Sequence, residues 1–190
     1  MTAQSDTIET KSKGTALTTL VIVLAAESVF FGTLLAAYLY LRADQSIAAF
    51  RPHTLASLLL PGLNTLVLLG SAAAAGRGLS AIRDGDNEAL KSKLILAIFL
   101  GFVFVAGQVI EFQRSGMRPS DPAFGGVFFA LIGFHALHVL GGMVVLGLNL
   151  MRAHLNDFDK KEFTAVEAGS WFWYYVTAVW FVLFAALYVV

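Results

Sequence analysis

Five long apolar stretches, separated by short polar ones, set the pattern of this chain, at approximately residues 17–41, 56–78, 94–112, 124–151 and 165–189. A helix that crosses a hydrocarbon core of about 30 Å needs about 20 mostly apolar residues, a length that each stretch satisfies. All five are too long and too apolar for ordinary strands, and their Gly and Ala content suits close helix packing in lipid. Turn-forming residues fill the gaps: Arg51-Pro52, the run from Asp84 to Asn87, Ser115-Gly116 with Pro119 and Pro122 beyond, and Asn156-Asp157. The pattern predicts an all-α membrane protein, a bundle of five transmembrane helices with no visible internal repeat. Residues 1–16 are expected to form a short disordered tail and residues 17–190 the transmembrane domain. The tail lacks the order of a secretory signal, in which a positive start leads directly into an apolar core and a small-residue cleavage site.

Composition strengthens the membrane reading. Of the 190 residues, 57% are hydrophobic and 14% charged. Soluble domains run at about 45–50% and about 25%, so the chain falls outside that class. The formal net charge is zero, which leaves no global field to attract nucleic acid. The absence of cysteine excludes disulfides, thiolate metal sites, iron–sulfur ligation and thioether-linked haem.

Lys and Arg in the short connections predict the orientation. One side carries Lys11, Lys13, Arg77, Arg83, Lys91, Lys93, Arg152, Lys160 and Lys161; the other carries only Arg42, Arg51, Arg114 and Arg118. The N-terminus is therefore expected in the cytoplasm and the C-terminus outside. Tyr38, Tyr40 and Tyr188 fall near span ends and are read as interfacial belt residues.

Ionisable groups inside the spans are costly, so each poses a question of function. Glu27 falls near the middle of the first span, and His135 with His138 near the middle of the fourth. Those two helices run in opposite directions, so the three groups share a depth. Glu111 falls at the outer end of the third span and Glu167 near the inner end of the fifth. His135 and His138, three apart, share a helix face. They can ligate a non-haem metal with Glu27 or Glu111, or bond to neighbouring helices. Two histidines so spaced cannot take opposite sides of one haem. Glu27 has three readings: a neutral carboxyl bonded to a neighbour, a partner of His135 or His138, or a member of a proton path. The aromatic clusters, such as Phe30-Phe31, Phe128-Phe129 and the run from Trp171 to Trp173, are expected mostly to meet lipid or neighbouring helices.

Several segments together resemble one family, subunit III of the haem-copper oxidases. The run from Ala26 to Phe31 resembles its Glu-x-x-Phe-Phe element, and that from Leu60 to Thr65 its Leu-Pro-x-Leu-Asn-Thr motif, which includes Asn64. Gln108 to Phe112 resembles Gln-x-x-Glu-aromatic, and Gly133 to Val139 resembles Gly-Phe-His-x-x-His-Val. Glu167 with Trp171, Trp173 and Trp180 resembles the final-helix pattern. These elements occur in order, one per span. The resemblance implies a subunit without a redox centre of its own, packed against subunit I and other oxidase subunits that carry haem and copper. It implies a bacterial inner-membrane location, bound phospholipid and support of proton uptake and turnover stability. Glu27 matches the family's membrane-embedded carboxylate, with His135 and His138 as buried polar companions. Asn64, Glu111 and Glu167 match structural polar positions, and Arg152 an arginine on a lipid headgroup. Two departures stand out. A family His and Asp in the final helix are Tyr174 and Thr177 here, and the two additional N-terminal helices of many members have no counterpart. Competing readings are an accessory subunit of a nitric oxide reductase, a free-standing His/Glu metal protein and a small transporter. The electron donor, cytochrome c or quinol, is not legible in this chain.

Overall fold

The computed structural model describes residues 2–43, 58–114, 124–160 and 162–189, with side chains from Lys13 in the first segment and from Gly126 in the third. Five helices make up the described chain: α1 (Thr2–Ala43), α2 (Leu59–Arg83), α3 (Asn87–Arg114), α4 (Phe124–His154) and α5 (Thr164–Phe184), which ends in a π-helical turn, Ala185–Val189. Each contains a window long and apolar enough to cross a membrane. The shortest, 21 residues before its π turn, rises about 31 Å at 1.5 Å per residue, enough for the hydrocarbon core. Five spans are thus present, and several run on into polar residues, such as Arg83, Asn87, Arg114 and Arg152. The segment read as a disordered tail is helical from Thr2 and continuous with α1. The expected start of the second span, residues 56–57, and the breakers Arg51-Pro52, Ser115-Gly116, Pro119 and Pro122 lie outside the described residues.

Local chemistry explains the ends. Pro61 occupies the first turn of α2, where its missing N–H leaves no bond unmade. Gly85, at φ 81°, closes α2: its N–H reaches the Ile82 carbonyl at 2.9 Å, and that of Asp86 reaches Ala81 at 2.9 Å. This is the Schellman arrangement, which needs a left-handed residue. Asn156, at φ 56°, repeats it after α4, with N–H bonds from Asn156 to Ala153 and from Asp157 to Arg152. Asp86 then opens α3 by accepting the Ala89 N–H at 2.8 Å. Asn87 clips the two turns together, donating to Ala153 O and Asn156 Oδ1, both at 2.9 Å.

Helices α2, α3, α4 and α5 form a ring, each packed on the next and α5 closing onto α2, while α1 lies outside against α4 and α5. Polar bonds tie the ring from within. Trp173 Nε1 donates to Ser71 Oγ at 3.1 Å, and Ser71 donates to the Ala97 carbonyl at 2.6 Å. Trp180 Nε1 donates to Thr65 Oγ1 at 2.9 Å. Asn64 Nδ2 donates to Phe104 O at 3.0 Å. Tyr38 is a correction to the belt reading. It is 1% exposed and faces the bundle, whereas Tyr40, at 76%, stands outward.

Trp173 is fully enclosed, and Gly142 on α4 makes the room: a Cβ there would come within 2.6 Å of the indole Cε3. The adjacent Gly141 has open space at the same position. Gly142→Ala should therefore destabilise the purified chain by about 1–3 kcal/mol through overpacking. Gly141→Ala should be neutral or slightly stabilising through helix propensity. Denaturant titration in detergent measures both, and equal midpoints for the two variants would contradict the packing account.

Candidate functional site: a glutamate–histidine pair between the first and fourth helices

Only Phe31 and Tyr38 are buried among the described side chains of α1. This helix is held to the ring by few contacts, and several of them are polar. Glu27 Oε2 lies 3.2 Å from His138 Nε2, near the middle of both candidate spans. Phe31 meets the His138 ring edge-on at 5.1 Å, and Phe172 stacks near it at 6.4 Å. Ser28, the residue after Glu27, returns its hydroxyl to Leu24 O at 2.8 Å, with the Tyr175 hydroxyl 3.4 Å away. Four polar groups from three helices therefore meet in one small patch.

The hydrogen bonds fix how many protons the pair holds. His138 Nδ1 lies 2.7 Å from the Phe134 carbonyl oxygen, one turn earlier in α4. A carbonyl only accepts, so Nδ1 carries a hydrogen. Nε2 then acts as an acceptor on a neutral ring or as a second donor on an imidazolium. In the first case the Glu27 carboxyl supplies the proton, and in the second the ring does. Either way one proton lies between the groups and the pair is neutral overall. Removing that proton would set a carboxylate against the imidazole lone pair in a poorly solvated place.

His135 goes elsewhere. It is 1% exposed, its Nε2–H donates to Val176 O of α5 at 3.1 Å, and its ring rests on Trp180 at 5.2 Å and Phe104 at 6.0 Å. A spacing of three on a helix turns side chains about 60° apart, and here that angle sends the histidines to different neighbours. Among the described residues, no three His, Asp or Glu side chains converge as a metal-ligand set.

The remaining candidates are dispersed. Asn64 ties α2 to α3. Glu167, in the first turn of α5, pairs with Arg83 Nη2 at 3.0 Å and also suits the positive end of the helix dipole. Glu111 lies toward the opposite end of the bundle, within electrostatic reach of Arg114 and Tyr188. Arg152 stands at the N-terminal side, its guanidinium 4.7 Å over the Phe158 ring and its Nε 3.6 Å from Asp157 Oδ2. It borders a cavity of about 630 Å³ among α1, α4 and α5, whose walls include Leu20, Val145, Ala168 and Phe172. The sequence reasoning missed Ser71 and Thr65 as acceptors for the two buried indoles. The seven-residue spacing of Trp173 and Trp180 places them on one face, but nothing along the chain points to their partners.

Comparisons with known proteins follow the same lines. The family model described as cytochrome c oxidase subunit III matches residues 2–190. Cytochrome c oxidase subunit 3 of Synechocystis sp. is 33% identical over 169 residues, covering 88% of this chain and 72% of that protein. The subunit of Thermostichus vulcanus is 31% identical over 172 residues, 90% of this chain and 85% of its own length. That of Carassius auratus is 34% identical over 129 residues, 68% of this chain and 49% of that longer protein. With a match running nearly end to end over five apolar helices, this chain belongs to the cytochrome c oxidase subunit III family.

Proposed function

We propose that the chain serves as the non-catalytic third subunit of a bacterial haem-copper terminal oxidase in aerobic respiratory electron transport, embedded in the inner membrane with its N-terminus in the cytoplasm. Haem and copper belong to the partner subunits, and this chain packs on subunit I, holds phospholipid and supports proton uptake. The observation that carries the reading is the Glu27–His138 pair, which joins the outermost helix α1 to α4. The Glu27 side chain is 34% exposed in the isolated chain although it sits near mid-span. An exposed carboxyl at that depth is costly in lipid, so a protein surface covering α1 is the natural resolution. Small residues along this helix, Gly32, Thr33, Ala36 and Ala37, permit the close approach that helix association in lipid favours. A covered pair that shares one proton is suited to supporting proton uptake beside a catalytic subunit.

Arg152 supports the lipid role. Its planar guanidinium at the mouth of a largely apolar cavity fits a headgroup phosphate above acyl chains. The lysine- and arginine-rich side of the bundle, to which Arg152 belongs, is the one expected to face the cytoplasm and its anionic leaflet.

Affinity purification of the tagged chain tests the assignment: it should bring down a subunit with haem absorption and oxygen-reducing activity. A nitric-oxide-reducing partner instead would replace it. Within the complex, Glu27→Ala should leave initial electron transfer near normal while shortening the catalytic lifetime or slowing proton uptake. Glu27→Gln separates proton exchange from mere packing, since its amide can still donate to His138 Nε2 but loses no proton. Assembly should survive in Glu27→Gln while lifetime falls as in Glu27→Ala; wild-type lifetime and uptake would remove the proton role. A double-mutant cycle of Glu27→Ala with His138→Ala, read from denaturant titration in detergent, should give a coupling of about 0.6 kcal/mol and at most about 1.7, the average and the maximum for polar contacts between membrane helices. Finally, Arg152→Leu should lose phospholipid that the wild-type complex retains through detergent washing, as measured by lipid extraction and mass spectrometry. Unchanged retention would count against Arg152 as the headgroup contact.

A further inference from the structure

On the face between α3 and α4, away from α1, the bundle has a second cavity of about 500 Å³. Its α3 wall includes Phe104, Gln108 and Phe112, one turn apart along a single stripe, and its α4 wall includes Phe129, Gly133 and Ala136. Phe112 and Phe129 meet edge-to-face at 4.6 Å. Gly133 creates much of the concavity, because no atom lies within 4 Å of where its Cβ would be. Gln108 is only 8% exposed, and its Nε2 has no hydrogen-bond partner among the described residues. The amide nitrogens of the other buried side-chain amides among the described residues, Asn64 and Asn149, each donate to a carbonyl. An unpaired amide at membrane depth is costly, and alkyl chains offer no acceptor to relieve it.

From this orphan donor, the aromatic walls and the open volume, we propose that the cavity binds a membrane-soluble flat ring bearing a carbonyl oxygen, the chemistry of a prenylated quinone. The ring lies among Phe104, Phe112 and Phe129, a turn of the buried Gln108 amide brings Nε2 to its carbonyl, and its tail leaves between α3 and α4 into lipid. The volume falls in the usual range of about 300–1,000 Å³ for small-ligand sites. Depth favours a ring over a phospholipid ester. Gln108 is six residues from Arg114, about 9 Å inward along the helix, whereas ester carbonyls stay near the edge of the hydrocarbon. The ligand is held as a structural group; no electron transfer to it is implied, and its binding is independent of the proposed role of Glu27.

The test uses the complex in which the chain purifies, stripped of native lipid and titrated with a short-tailed ubiquinone isotope-labelled at its ring carbonyls. Binding should shift a carbonyl band to lower frequency in the isotope-edited infrared spectrum. A photoreactive azidoquinone should label peptides from α3 and α4. Gln108→Leu should abolish the shift and weaken binding by up to about tenfold, the worth of one buried hydrogen bond. Gly133→Leu, which fills the cavity without touching the amide, should block labelling of α3 and α4. Retained labelling and an unchanged band in both variants would overturn the site. So would a phospholipid that both variants lose and that the quinone fails to displace from the wild type.

Discussion

A single hydrogen-bonded chain crosses the centre of the ring: the Trp173 indole donates to Ser71, and Ser71 donates to the Ala97 carbonyl. Three helices, α5, α2 and α3, are thereby fixed in register by two bonds. In water such bonds would be worth little net, because each partner could turn to solvent. In hydrocarbon a displaced indole N–H has nowhere to turn, so the same bonds select one arrangement against sliding alternatives. The packing depends on that register. Trp173 reaches Ser71 only because Gly101 and Gly142 lack side chains where the indole passes. The second indole, Trp180, repeats the device on Thr65, whose own hydroxyl returns to the Pro61 carbonyl at 2.8 Å.

Helix α1 is built on a different principle. The ring is closed by buried aromatics and interhelical hydrogen bonds, whereas α1 holds by Phe31, Tyr38, the Glu27–His138 contact and Arg42. The Arg42 guanidinium donates to the Ala186 carbonyl at 3.0 Å, inside the π turn where the regular ladder is disturbed. At the other end Lys13 pairs with Glu162 at 2.7 Å. Polar clips near both ends and one at mid-span orient the helix without enclosing it. Its outward side, with Val29 at 70% and Tyr40 at 76% exposure, remains available to lipid or another subunit.

The fold was legible because hydropathy reports what lipid demands, and lipid demands uninterrupted apolar helices. Helix ends were less so. Asp84-Gly85-Asp86-Asn87 announces a turn, yet polar residues such as Asn87 and Arg152 stay helical because caps and aromatic contacts hold them. Membership of the bundle interior was least legible. Tyr38 has the look of a belt residue from its place near a span end, but arrangement of α1 across α4 and α5 turns it inward. Likewise the His135–His138 spacing suggests a shared target, while the relative positions of α1 and α5 give each ring its own. These are properties of how helices sit beside one another, and a linear pattern records only the face a residue occupies.

Glu27 and Gln108 show where the membrane constraint leaves unfinished work. Both are polar, both lie within spans, and each sits at a groove rather than in the ring's centre. Glu27 has an internal partner but stays partly exposed, so what it needs is cover. Gln108 is enclosed but unpaired, so what it needs is an acceptor. Helix-to-helix bonds could have satisfied both, as they do for Asn64 and Asn149. That these two are left incomplete, on faces where α1 and the α3–α4 cavity open outward, places the chain's dependence on its surroundings at two separate points. One calls for a protein surface and the other for a small molecule, so loss of either should leave the other intact.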